Sequence, residues 1–371
     1  MKSILVTGSK GFVGKNLIEG IARLGEFNIL TFNRGDSQTK LRSHLRECDI
    51  IYHLAGENRP KNHEEYNKVN VGLARDIVQF LEQDKRCVPI VFTSSIQAGT
   101  DNCYGKSKYL AEQLILNYSS VTETKVYIFR MPNLFGKWCK PNYNSVVATF
   151  CYNISRELPI NISNRKKDLN LLYIDDLINI FIDLIAEKEP IKKGKYYEAY
   201  PVFNVNLGEL VDMLTSFFNS RKTLILPDLS DPFTRRLFAT YISYLPEKKL
   251  SYSLKKHEDE RGFLFEIFKS NNFGQIFISR SFQNIFRGNH YHNNKVEKFV
   301  VLEGTAIIRL RNILKNNSVE YLVSGRYPQT IDIPPGYSHS IENVGEGELL
   351  VLFWASEIFN PTKSDTYPFE V

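Results

Sequence analysis

Two sets of residues in this chain have the types and the spacing to do chemistry. The first is Tyr104-Gly105-Lys106-Ser107-Lys108. On a helix, positions i and i+4 lie on one face, so the phenol of Tyr104 would stand beside the ammonium of Lys108. A fixed cation stabilises a phenolate, so such a tyrosine could trade a proton near neutral pH. A serine hydroxyl nearby would complete a hydrogen-bonding site for a carbonyl oxygen, and Ser94-Ser95 end the apolar run before it. The second set is His290-Tyr291-His292, then Glu297, then His339. On a strand, residues i and i+2 face the same way, so His290 and His292 project together. Glu297 and His339 can complete a nitrogen-and-oxygen ligand set for a divalent ion. Zinc is expected first, with manganese, iron and nickel left open.

The elements that must position the first set start at the N-terminus. Ile4-Leu5-Val6 reads as a buried strand, and Phe12, Val13, Leu17, Ile18, Ile21 and Leu24 recur at helical spacing. Between them lies Thr7-Gly8-Ser9-Lys10-Gly11-Phe12-Val13-Gly14. A glycine-rich turn between strand and helix lets backbone approach a pyrophosphate and aims free N–H groups at it. A second strand, Asn28–Phe32, ends in Asn33-Arg34. The carboxylate that would repel a 2′-phosphate is missing there, and Arg34 with Lys10 supplies positive charge, which points to NADPH over NADH. A third strand, Ile50–Gly56, ends in Leu54-Ala55-Gly56, whose small residues leave room for that cofactor. His53 reads as a satisfied buried histidine, and Asp49 as a residue that could reach the adenine.

Residues 1 to about 245 resemble the extended short-chain dehydrogenase/reductase family, whose members act on sugar nucleotides. The resemblance rests on Thr7-Gly8-x-x-Gly11-Phe12-x-Gly14, Leu54-Ala55-Gly56, Ser94-Ser95, Tyr104-x-x-x-Lys108, Arg130-Met131-Pro132-Asn133-Leu134-Phe135-Gly136 and Tyr173-Ile174-Asp175-Asp176. It implies an α/β Rossmann-type, doubly wound parallel sheet. It also implies that Tyr104 and Lys108 are catalytic, with Ser95 as the catalytic serine and Ser94 as the alternative. Residues 96–103 make a shorter link between serine and tyrosine than the family usually has, which implies a more open site. Met131–Gly136 follow a strand at its C-terminal end, where open α/β sheets place ligands. The run Gly136–Ser145 is dense in donors and aromatics and suits a diphosphate and a uracil ring. Asn133, Lys140, Asn142 and Arg165, with Arg59, are the substrate candidates. Asp175-Asp176 open a helix and are expected to complement its dipole. Asn206 is expected to cap another helix from Leu207 to Phe218.

Near residue 246 the pattern changes. Pro246-Glu247-Lys248-Lys249 reads as a linker, dividing the chain into an NADPH-binding domain, 1–246, and a metal-binding domain, 247–371. Beyond it come short apolar or alternating runs at 263–268, 274–280, 297–302, 305–310, 329–333 and 348–353, the pattern of a β-sandwich or barrel. The spacing His290-x-His292, Glu297, Gly304 and Pro334-x-Gly336-x-x-His339-x-x-x-Asn343 resembles the cupin metal motif, a β-barrel or jelly roll. Asp259-Glu260-Arg261-Gly262-Phe263 and Arg287-Gly288-x-His290 resemble the deoxysugar-epimerase branch of the cupins, which use a histidine base. Here a metal would claim that histidine. Either the metal polarises a ketone, or it is structural and a group such as Tyr337 moves the proton.

The whole chain is similar to two-domain capsular-polysaccharide enzymes of N-acetylfucosamine precursor synthesis, a reductase fused to a cupin. The similarity implies a UDP-2-acetamido-2,6-dideoxy-4-ketohexose substrate, epimerised beside its ketone by the cupin. NADPH-dependent reduction to UDP-2-acetamido-2,6-dideoxy-L-talose would follow, in a homodimer. Two alternatives are a single-activity reductase whose cupin only dimerises the protein, and a non-catalytic nucleotide sensor.

Composition excludes several classes. In 371 residues the net charge is +6, with no dense Lys/Arg tract, so neither a nucleic-acid nor a membrane partner is expected. Five cysteines, widely spaced and odd in number, form no disulfide framework. The N-terminus runs straight into a strand with no signal peptide, so a cytoplasmic protein is expected.

Overall fold

The structure is a computed structural model and describes residues 1–60, 62 and 64–371. The chain falls into two compact units, Met1–Leu214 with Arg236–Leu245, and Thr215–Arg235 with Pro246–Val371. No helix among the described residues is long and apolar enough to cross a membrane.

The first unit starts with β1 (Lys2–Thr7), α1 (Phe12–Ala22), β2 (Phe27–Phe32), α2 (Gln38–Glu47) and β3 (Ile50–His53). A short α3 (Glu64–Tyr66) runs through a π turn at Asn67–Val71 into α4 (Gly72–Gln83). There follow β4 (Ile90–Ser95), α5 (Cys103–Thr122), β5 (Val126–Met131), β6 (Asn133–Phe135), α6 (Val146–Ser155), β7 (Asp168–Tyr173) and α7 (Ile174–Ile185). The short strands β8 (Lys192–Lys193) and β9 (Tyr196–Tyr197) precede β10 (Val202–Asn206), α8 (Leu207–Thr223) and α9 (Pro232–Ser243).

The main sheet has the order β2-β1-β3-β4-β5-β9-β8, parallel except where β8 meets β9. It is covered on both faces, and β1 shows why. Ile4 and Val6 point into a core shared with α1 and α7, through Leu17, Ile21, Leu177 and Phe181. Leu5 points the other way, into a core shared with α2, α4 and α5, through Leu41, Ile77 and Ile115. A strand buried on both faces reads as a continuous apolar run rather than an alternation. The sheet order reverses between β1 and β3, and a crevice opens at the carboxyl ends of strands at such a switch point.

The second unit is a pair of antiparallel sheets. Its strands are β11 (Lys256–Asp259), β12 (Gly262–Ser270), β13 (Gly274–Ser281), β14 (Phe286–Tyr291), β15 (Glu297–Glu303), β16 (Thr305–Asn312), β17 (Ser318–Ser324), β18 (Thr330–Ile333), β19 (Tyr337–Asn343), β20 (Leu349–Ala355) and β21 (Tyr367–Pro368). One sheet has the order β11-β12-β13-β20-β15-β18 and the other β17-β16-β19-β14-β21. Alternating residues such as Phe299, Val301, Ile308, Ile341, Val351 and Phe353 fill the space between them. The segment Thr215–Arg235 adds to this unit through Leu226, whose N–H donates to Lys269 O at 2.8 Å.

Candidate functional site

At the switch point the chain builds a narrow cradle. Gly8 has φ +70°, and a Cβ there would stand 2.8 Å from the Ala55 backbone, so only glycine lets the turn after β1 lie against the end of β3. Gly8 N donates to Phe32 O at 2.8 Å, and Lys10 N to the Asn33 side-chain oxygen at 3.1 Å, tying the turn to the end of β2. Gly11 and Gly14 complete the turn, and Phe12 and Val13, opening α1, pack on the core beside Leu54. Free N–H groups at a helix start and a backbone without side chains fit the pyrophosphate of a dinucleotide.

Asp49 does not belong to this cradle. It precedes β3, at the amino end of the sheet, and its carboxylate accepts from Ser3 N at 2.7 Å. The turn and its ligand crevice lie at the carboxyl ends, so the expectation that Asp49 reaches an adenine is corrected.

Arg34 stands where it is expected, with an exposed guanidinium, but it has a partner that the sequence does not suggest. It pairs with Glu57 at 2.6 Å. Glu57 is buried and also accepts from the Asn58 and Arg59 N–H groups, each at 3.2 Å, and from the Tyr143 hydroxyl at 3.0 Å. Burial pushes its carboxyl up, but Arg34, the Arg59 N–H and Tyr143 outweigh this and hold it below the usual range. Because β2 and β3 flank β1, the pair joins the two loops on either side of the glycine turn.

The Ser–Tyr–Lys set forms on β4 and α5. Ser94 and Ser95 point into different environments. Ser94 Oγ donates to Glu112 at 2.5 Å, and Glu112 is fully buried, held by Arg130 at 2.9 and 2.7 Å and by Tyr196 at 3.1 Å. Ser95 instead stands near the Tyr104 phenol, where it opposes the effect of burial on it. The link between them turns through a 3₁₀ segment, Ile96–Gly99, capped by Ser95. A Cβ on Gly105 would fall 2.1 Å from Gln97 O, so the short link packs tightly onto α5.

The electrostatics also differ from expectation. Burial raises the Tyr104 phenol, with Ser95 opposing and Tyr66 adding to the rise. The expected lowering by Lys108 is absent, and the ammonium donates to Thr93 O at 3.0 Å. Burial pushes Lys108 down to about 8. Its room is made at Gly56, where a Cβ would stand 3.0 Å from Nζ. His53 is buried, as expected, with Nδ1 2.8 Å from Thr7 Oγ1 and its ring stacked on Phe92, and burial with Lys108 pushes it down to about 3.

The substrate candidates divide. Lys140 lies over the Tyr143 ring at 5.3 Å, and Asn142, at φ +53°, donates from its backbone to Thr149. This loop and Arg59 meet at Glu57. Asn133 is exposed on β6, while Arg165 is taken up by Asp212 at 2.6 Å. Asp175 and Asp176 lie in the first turn of α7, as expected, and each also pairs with a cation: Lys137 at 2.5 Å and Arg236 at 2.7 Å. Asn206 does cap α8, in a reciprocal box with Glu209. Asn70 joins the site without any signal in the sequence pattern. Its side chain accepts from Glu57 N at 2.8 Å and donates to Ser107 at 2.9 Å, holding α5 to the loop after β3.

In the second unit, His290, His292, Glu297 and His339 converge, with ligand atoms within 4.8 Å of one another. A bulge aligns them. Gly288 pairs with Ser340 and His290 with His339, so Asn289 is the extra residue in β14. Gly288 has φ +111°, and a Cβ there would sit 2.5 Å from His339 O. His292 Nε2 and His339 Nε2 lie 3.2 and 3.4 Å from the same Glu297 oxygen, yet neither nitrogen has a hydrogen bond. These separations match the edge of about 3.3 Å in a tetrahedron of metal–ligand bonds of about 2.0–2.1 Å. Burial and the neighbouring imidazoles push His290 down to about 4, so it is neutral. Burial pushes Glu297 up, but His292 and His339 pull it far below the carboxylate range. Buried nitrogen lone pairs without donors, facing one carboxylate, fit a divalent ion.

A glycine turn at the switch point of a doubly wound sheet, followed by an antiparallel sandwich of the cupin type, defines a two-domain Rossmann–cupin protein. The chain belongs to the NAD dependent epimerase/dehydratase family, which matches residues 4–205, and residues 257–367 match the polysaccharide biosynthesis C-terminal domain. It is 40% identical over 364 residues to the UDP-2-acetamido-2,6-beta-L-arabino-hexul-4-ose reductase of Pseudomonas aeruginosa, covering 98% of this chain and 97% of that protein. It superimposes on the crystal structure of the capsular polysaccharide assembling protein CapF from Staphylococcus aureus with TM-score 0.92 and 42% identity, covering 99% of this chain and 100% of that one. The UDP-glucuronic acid 4-epimerase of Bacillus cereus, solved with NAD, shares the fold alone, at TM-score 0.55 and 16% identity over 65% of this chain and 96% of that one.

Proposed function

We propose that this protein is an NADPH-dependent UDP-4-ketosugar reductase whose cupin unit epimerises the carbon beside the ketone. The substrate is a UDP-2-acetamido-2,6-dideoxy-4-ketohexose and the product UDP-2-acetamido-2,6-dideoxy-L-talose. The observation that carries the reading is the likeness, over nearly the whole chain, to a relative named for reduction of such a hexul-4-ose. Domains at 1–246 and 247–371 house the two activities, and the protein works as a homodimer.

NADPH bound in the Gly8–Gly14 cradle would supply hydride to the ketone carbon. Ser95 orients the carbonyl oxygen. Tyr104 gives its proton to that oxygen as negative charge develops, and a phenol raised by burial keeps its proton until then. Lys108, charged below about pH 8, offsets the phenolate left behind. Lys10 and Arg34 face the 2′-phosphate, while Arg59, Asn133, Lys140, Asn142 and Arg165 serve the nucleotide sugar. In the cupin, His290, His292, Glu297 and His339 would hold a divalent ion that polarises the ketone.

One observation favours a second reading, in which the cupin is structural. Four protein ligands close a tetrahedral zinc site, whereas six-coordinate ions keep positions open. The test is incubation with NADPH and UDP-4-ketosugars in deuterated water. Deuterium beside the former ketone, lost in a His290→Ala variant that still reduces an already epimerised ketone, supports two activities. Full deuteration in that variant would leave the cupin structural.

A further inference from the structure

The metal-ligand strand is clasped by a segment far away in sequence. β21 pairs with β14 through His290–Pro368 and Tyr291–Tyr367, and Phe369 N donates to Asn289 O at 2.9 Å. At its start, Asp365 uses both ends of one residue. Its carboxylate accepts three successive N–H groups, from Asn293 at 3.0 Å, Asn294 at 2.7 Å and Lys295 at 2.9 Å. Its carbonyl oxygen lies 2.5 Å from His292 Nδ1. Three consecutive amides converging on an anion fix the path of the backbone. That backbone, 293–295, spaces His292 from Glu297. A carbonyl accepts only from a protonated Nδ1, which leaves Nε2 bare, and Nε2 is the atom facing Glu297.

We propose that Asp365 is a positioning residue of the cupin centre: its carboxylate pins the loop between two ligands, and its carbonyl sets the tautomer and direction of the His292 ring. The inference rests on the metal-binding reading of the four-residue cluster. Hydrogen bonds of this kind, one step out from a metal, contribute about 10–100-fold in affinity. Removing the carboxylate strands three N–H groups and lets the carbonyl drift from His292. Among the described residues around the cluster, Asp365 contacts both a ligand ring and the loop leading to the next ligand.

The test uses the full chain, stripped by chelator and titrated with Zn²⁺ against a chromophoric competitor, and with Co²⁺ read by its visible spectrum. Asp365→Ala is expected to weaken Zn²⁺ by about 10–100-fold and to alter the Co²⁺ bands. Asp365→Asn, which keeps one acceptor oxygen, falls between Asp365→Ala and the unaltered protein. NADPH binding stays unchanged in both. If Asp365→Ala does not fold, the Asn variant decides by the same two readouts. Affinity within about twofold of the unaltered protein, with the same Co²⁺ spectrum, overturns the proposal. If the unaltered protein binds no metal, or His290→Ala binds as tightly, the metal-binding reading falls first and takes this inference with it.

Discussion

Lys108→Met should make the protein more stable and inactive. Lys108 is 4% exposed and its carbonyl partner, Thr93 O, carries no charge. Glu112 favours the charged form but is already engaged bidentately by Arg130. Burial takes Lys108 from its ordinary 10.5 to about 8. A tenfold weaker hold on a proton corresponds to about 1.4 kcal/mol, so the folded state loses about 3 kcal/mol by keeping this group charged at pH 7. Methionine fills nearly the same volume without charge. Losing the bond to Thr93 costs about 1 kcal/mol, leaving a net gain of about 2 kcal/mol. For a unit of this size that is a rise of about 4–8 °C in melting temperature. The folded pKa lies below the unfolded one, so the unfolded chain binds more protons between about pH 8 and 10.5. Stability of the unaltered protein therefore rises with pH across that window, and the advantage of methionine is largest below pH 8. Urea unfolding at pH 7, 8, 9 and 10 reads both. A variant no more stable at pH 7, or an advantage that does not shrink by pH 10, would refute the reasoning.

Arg34→Ala should weaken NADPH binding by about tenfold, the loss of one charge-assisted phosphate contact, and leave NADH binding unchanged. Fluorescence titration with each cofactor checks it, and equal losses for both would count against a role in reading the 2′-phosphate. Gly288→Ala should cost about 1–3 kcal/mol of strain and empty the cupin site, because a Cβ there meets His339 O at 2.5 Å. Metal content after gel filtration measures this, and full occupancy would contradict it. The kcat/KM for NADPH should fall above about pH 8 as Lys108 loses its proton, and Lys108→Arg should remove that limb.

The parallel sheet is legible because β1, β3, β4 and β5 are apolar on both faces, and apolar runs survive without context. In the sandwich, β12, β13, β15, β16, β18 and β20 show themselves by alternation. The strands carrying His290 and His339 do not. Arg287-Gly288-Asn289-His290 in β14 and Tyr337-Ser338-His339-Ser340 in β19 carry too few apolar residues to alternate, and His290 and His339 among them join the ligand cluster rather than the core. The choice between Ser94 and Ser95 needs Glu112, 18 residues away and fully buried, which spacing cannot show. The direction of the Tyr104 shift escapes the sequence for the same reason: helix spacing gives neighbours but not burial, and here burial outweighs the cation. Glu57 and Asp365 stay hidden because each is defined by partners far away in sequence.

Two separate centres acting in turn on one ketosugar is the central claim, and Tyr104→Phe isolates the first. The variant is incubated with NADPH and the UDP-4-ketosugar in deuterated water, and mass spectrometry and nucleotide absorbance are followed together. The expected result is one deuterium beside the ketone and no oxidation of NADPH. A ketosugar recovered without deuterium, or NADPH oxidised at the unaltered rate, would contradict it.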